Sequence, residues 1–84
     1  MNSTLAALPI GGSARIVAVG GERSFRRRLL ELGFLPGISI TLLGRAPMGD
    51  PLDVRLRGCR YSLRHHEAEA IVVDVPPNGT AAAQ

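Results

Sequence analysis

The stretch Leu29–Pro51, LLELGFLPGISITLLGRAPMGDP, decides the fold. It holds two sharp backbone breaks on either side of one apolar, β-branched run. Phe25, Leu29 and Leu32 are spaced i, i+4, i+7, which places all three on one helix face. Gly33 follows them, and glycine enters the left-handed cap of a helix without a steric penalty. With Gly33 at C′, Phe34 falls at C″ and Leu29 at C3, two positions whose side chains meet in such a cap. Pro36 keeps the helix from resuming. Residues 38–43 alternate as a strand, with Ile38, Ile40 and Leu42 on one face. Ala46-Pro47-Met48-Gly49 reads as a type I turn, proline second and glycine fourth. Asp50-Pro51 closes the loop. Leu29 and Leu32 are assigned to the core, and Gly33, Gly37 and Gly49 to backbone geometry.

Outward from this stretch the pattern is of short strands. Pro9-Ile10-Gly11-Gly12 is a turn signal, and residues 14–19, ARIVAV, form a strand ended by Gly20-Gly21. Ser24 or Gly21 is the candidate N-cap of the helix. Arg26, Arg27 and Arg28 then crowd its early turns against the helix dipole. Downstream, Leu52, Val54 and Leu56 alternate with Asp53, Arg55 and Arg57, a half-buried strand. Gly58-Cys59 fits a two-residue hairpin turn, and Tyr61 and Leu63 lie on the return strand. Residues 65–70 suit a single helical turn, and Ile71, Val72, Val73 and Val75 a last strand. Five short strands with one helix inserted after the first predict a mainly β fold, a small partly open barrel. Residues 1–7 are expected to be loosely ordered, although Leu5 and Leu8 are placed to fold back on the core. The domain is expected over residues 8–75, and 76–84 as a flexible low-complexity tail.

Composition bounds what such a domain does. Eighty-four residues make one domain with a small core, and 45% hydrophobic content favours folding. No apolar run approaches the roughly 20 residues of a membrane span, and no signal peptide is visible, so a cytoplasmic location is expected. Cys59 is the only cysteine, which excludes an internal disulfide and multi-cysteine zinc sites. Every one of the ten cationic residues is arginine, and the net charge is +3.

LLELGFLPG, then APMGDP, then GCRYSLRHHEAEAIVV resembles the FeoA family, in that order and spacing. The similarity runs from about Leu8 to Val75. It implies an SH3-like barrel with the helix set against it, and a bacterial cytoplasmic accessory of ferrous iron uptake. It also implies a partner, the cytoplasmic GTPase-bearing region of the FeoB-type membrane transporter. The same barrel pattern resembles the C-terminal domain of metal-dependent transcriptional repressors, which is the alternative reading. SH3-like barrels bind partners in grooves between loops. Here that groove is expected between the helix and the loop of residues 45–51. Phe34, Leu35, Pro36, Met48 and Asp50 are the candidate contacts, with Arg26 and Arg27 at the rim.

The chemistry of an enzyme is not visible. Nothing matches GxxxxGK[ST] or GxGxxG, so GTP binding by this chain is not expected. No nucleophile and base stand in persuasive order. His65, His66 and Glu69 form the metal-like cluster. Adjacent histidines on a helical turn point about 100° apart, whereas His65 and Glu69 at i and i+4 face one way. No metal site or cofactor is expected in the monomer. A divalent ion such as zinc is expected only between molecules, where a second chain supplies missing ligands. Stacking aromatics are few, so nucleic acid is not an expected partner. The oligomeric state is left open.

Overall fold

The computed structural model describes residues 2–75 of the chain, and the segment read as a flexible tail lies outside them. Strands β1 (Asn2–Thr4), β2 (Ser13–Val19), β3 (Ser39–Arg45), β4 (Leu52–Leu56), β5 (Cys59–Leu63) and β6 (Ile71–Asp74) form one sheet. Helix α1 (Arg23–Leu32) follows β2, and a four-residue turn of helix, α2 (His65–Ala68), follows β5. The order across the sheet is β1-β6-β2-β3-β4-β5, and every pairing is antiparallel. Bulges between Ile16 and Ala18 and between Leu42 and Gly44 curve β2 and β3 around the core.

Alternation sets the inner face. Ile40, Leu42, Leu52, Val54, Leu56, Ile71 and Val73 are all buried, and Arg55 and Asp74 between them face out. The fold is the expected small SH3-like barrel with one main helix, with six strands rather than five. The extra strand is β1, which pairs with β6 from Asn2↔Asp74 to Thr4↔Val72. Residues 2–7 are therefore not a loose lead-in. Leu5 and Leu8 are buried, and Arg45 donates to the carbonyls of Ala6 (2.6 Å) and Leu8 (3.1 Å). Its three residues, Asn2, Ser3 and Thr4, are all polar and carry no apolar alternation, so this edge strand was invisible in the sequence.

The helix ends as read. Gly33 has φ +107°, its N–H reaches the Leu30 carbonyl, and the Phe34 N–H reaches that of Leu29 at 3.0 Å. That pair of bonds is the left-handed glycine cap. The helix start differs from both candidates: Glu22 is the N-cap, and its carboxylate accepts from the Ser24 hydroxyl at 2.8 Å. The hairpin turn is also one residue earlier than expected. Arg57 and Gly58 occupy it, both with positive φ, and Leu56 pairs with Cys59. This is the type I′ geometry, whose twist matches that of the strands.

Leu32 departs from the core assignment, being 45% exposed. The Tyr61 hydroxyl donates to the Leu32 carbonyl at 3.4 Å. The last turn of α1 thus overhangs β5, the edge strand, and no further strand covers its side chain. Phe34 goes the other way. It is fully buried, edge-on to Tyr61 with ring centroids 5.1 Å apart. The cap that turns the chain at Gly33 drives this ring into the barrel.

Candidate partner-binding surface

The turn after α1 presents Leu35 and Pro36 to solvent, pinned by the Gly37 N–H to the Ile16 carbonyl and the Ile38 N–H to that of Leu35. Gly37 has φ +91°, a conformation side chains rarely adopt, so this turn has a fixed shape. The β3–β4 loop closes through the Gly49 N–H to the Ala46 carbonyl at 2.7 Å. It holds Met48 out at 91% exposure. An unbranched apolar side chain on a built turn adapts to many partner surfaces.

Two of the candidate contacts have structural roles of their own. Phe34 is fully buried in the core. Asp50 is exposed, and its Oδ1 accepts the His65 N–H at 2.9 Å at the start of α2. A cleft of about 540 Å³ lies between the start of α1 and α2, lined by Gly21, Glu22, Phe25, Arg28, His66 and Glu67. Arg28 and Glu67 face each other across it at 3.5 Å. Arg26 and Arg27 border a shallower depression with Arg23, Leu30 and Glu31. Neither depression takes a residue from the 45–51 loop. The α1–α2 approach joins residues 39 apart in sequence, a proximity that no local pattern announces.

The arginines of α1 divide by role. Arg26 donates its Nε–H to the Val19 carbonyl at 2.9 Å, tying the helix to β2. Arg28 is spent on Glu67. Arg23 and Arg27 are exposed and have neither an ion pair nor a side-chain hydrogen bond among the described residues. The first turn carries no acid to favour the dipole. Arg23 was not singled out in the sequence; its signal was the i, i+4 spacing to Arg27.

His65 and Glu69 meet as the i, i+4 spacing predicts, Nε2 to Oε2 at 3.2 Å. His66 lines the α1–α2 cleft. Among the described residues no three His, Cys, Asp or Glu side chains converge, and no polar or charged side chain is buried. The His65–Glu69 pair supplies two of the four ligands that a closed zinc site needs. Cys59 is exposed at the hairpin end.

A small antiparallel sheet curved around an apolar interior, with one main helix, is an SH3-like domain. The model of the FeoA domain matches residues 3–75, and the chain belongs to the FeoA family, accessories of ferrous iron transport. The chain is 41% identical over 71 residues to a fusion of Fe(2+) transport protein A with the Fe(2+) transporter FeoB from Porphyromonas gingivalis. That match covers 84% of this chain and 8% of the fusion protein. The solution structure of FeoA from Chlorobium tepidum superposes with a TM-score of 0.83 at 37% identity, over 87% of this chain and 70% of that one. FeoA of Stenotrophomonas maltophilia, crystallised with zinc and described as a prokaryotic SH3 domain protein, gives 0.77 at 37% identity, over 86% and 89%. A manganese-dependent transcriptional repressor shares the fold alone, at 17% identity and a TM-score of 0.80 over 89% of this chain and 42% of its own. No helix among the described residues is long and apolar enough to cross a membrane.

Proposed function

We propose that this chain is a non-enzymatic cytoplasmic accessory of ferrous iron uptake that binds the cytoplasmic GTPase-bearing region of an FeoB-type transporter. The observation that carries this reading is the fusion relative, in which a segment like this chain and the transporter FeoB share one polypeptide. Covalent linkage holds two modules at millimolar effective concentration, which favours a weak contact between them. In a separate chain the same contact must stand on its own surface.

The candidate contacts are the α1 face, the turn after it and the β3–β4 loop. Leu35, Pro36 and Met48 supply exposed apolar contact, and Arg23 and Arg27 supply unpaired charge that steers an acidic partner. The chain acts by binding and neither takes up nor hydrolyses GTP. If zinc is held, His65 and Glu69 contribute half a site and a second molecule completes it.

Calorimetric titration of the chain into the cytoplasmic region of the FeoB-type transporter of the same organism tests the reading. Saturable binding that is weakened by Leu35→Asp with Met48→Asp is expected, with no heat on titrating GTP into the chain alone. Absence of binding, or GTP binding by this chain, contradicts it.

A further inference from the structure

The net charge of the protein is concentrated in one place. Residues 52–64 hold four arginines and one acid, Asp53, while the remaining six arginines are matched by six acids. The whole formal excess of +3 therefore sits on the β4–β5 hairpin. Arg55, Arg57, Arg60 and Arg64 are all exposed. Arg55 and Arg60 stand directly opposite each other across the two strands, an arrangement that costs stability. Asp53 offsets part of it by accepting a hydrogen bond from Arg60, and that bond, then the carboxylate charge, raises the Arg60 pKa.

Among the described residues the hairpin is also the end of the sheet, with β4 beside β5 on one side and no strand on the other. A two-residue turn makes Leu56 and Cys59 a hydrogen-bonded pair, and the bonded pairs then alternate. Val54–Tyr61 and Leu52–Leu63 are bonded. The N–H and C=O groups of Arg60 and Ser62 therefore point away from β4, along an open edge. On the inner side of that edge lie Tyr61, half-buried, and Leu32, 45% exposed where α1 overhangs. Pairing with β5 of a second copy would bring the same arginines face to face, so the charge works against self-association.

We propose that β5 is a docking edge for an extended acidic segment of a partner protein. The segment adds as a further strand, its backbone bonded to Arg60 and Ser62. Carboxylates at alternate positions face Arg60 and Arg55, and apolar side chains between them face Tyr61 and Leu32. Apart from Leu32 this edge shares no residue with the α1 face, and Arg23 and Arg27 take no part in it.

The test is an amide-shift titration of the isotope-labelled full chain with a capped octapeptide alternating Glu and Val. Shifts centred on Arg60 and Ser62, with slowed solvent exchange of those two amides, are expected. Arg55→Glu with Arg60→Glu should weaken binding about tenfold or more. Ser62→Pro should weaken it comparably, since proline removes the outward N–H and leaves the β4–β5 ladder intact. A peptide with its glutamates in one block should bind less well than the alternating one. Each variant's own amide spectrum shows whether it is folded, and if one strand variant is not, the other and the block peptide carry the test. No shift at millimolar peptide would overturn the proposal and leave the arginines as guards of a bare edge. Loss in the charge-reversed protein with full binding by a folded Ser62→Pro would overturn strand addition. Equal shifts with phosphatidylglycerol vesicles or duplex DNA would assign the edge to polyanions generally and overturn it too.

Discussion

The strands β3 and β4 and the helix α1 are built on opposite terms. In β4 the inward residues Leu52, Val54 and Leu56 are at most 1% exposed, and Ile40 and Leu42 of β3 match them. In ten residues of α1, Leu29 alone is buried, with Phe25 and Leu30 partly so. The sheet keeps its specificity in burial, where volume and period are unforgiving. The helix is held by one buried leucine with Phe25 and Leu30 beside it, one capped end, and single bonds to Val19, Glu67 and Tyr61, and much of its remaining surface is charged.

Substitutions can break this contrast, and the largest effect belongs to Phe34. It packs inside the barrel although the chain around it is a surface turn, so Phe34→Ala should cost about 3–5 kcal/mol in denaturant unfolding. A loss below about 1 kcal/mol would return Phe34 to the surface. Next comes Gly33→Val. At φ +107° a β-branched residue is strained, and about 1–3 kcal/mol should be lost, read as a lowered melting temperature. An unchanged melting curve would remove the cap. Leu32→Ala should cost less than about 1 kcal/mol, in contrast to about 2–5 for Leu29→Ala, because 45% of Leu32 is already in water. Equal losses at the two leucines would mean that the helix face is buried through its last turn. The smallest effect on stability, within about 0.5 kcal/mol, belongs to Arg23→Glu with Arg27→Glu. Arg26→Glu is not equivalent, since it also removes the bond to the Val19 carbonyl, worth about 0.5–1.5 kcal/mol.

Much of the fold was legible because its signals are local. The cap at Gly33, the turn at residues 46–49 and the alternation of β4 each lie within a few residues, and each reads off spacing. What failed was decided by tertiary position. Leu32 has the same period as Leu29, and only the overhang beyond β5 separates their fates. Phe34 was read both as a cap contact and as a partner contact, and the first use leaves nothing for the second. Asp50 carries no sequence mark of its bond to His65, because the two meet only when the β3–β4 loop comes to rest against α2. Of the candidate contacts, Leu35, Met48 and Arg27 are exposed. Of the hairpin arginines, Arg55 and Arg57 were read as outward residues, from the alternation of β4. Their concentration at a sheet edge needed the strand order.

The most direct test of the account is the association rate of this chain with the cytoplasmic region of an FeoB-type transporter, measured by stopped flow at low and physiological salt. Arg23 and Arg27 are the arginines of α1 without an ion pair or side-chain hydrogen bond among the described residues, and a partner steered by them meets the wild-type chain faster at low salt. We expect the wild-type rate to fall about tenfold or more as salt rises, and the rate of Arg23→Glu with Arg27→Glu to be lower and nearly flat. An identical rate and salt slope in the charge-reversed protein would contradict the account, leaving α1 a solvated face and moving the contact to Leu35 and Met48 alone.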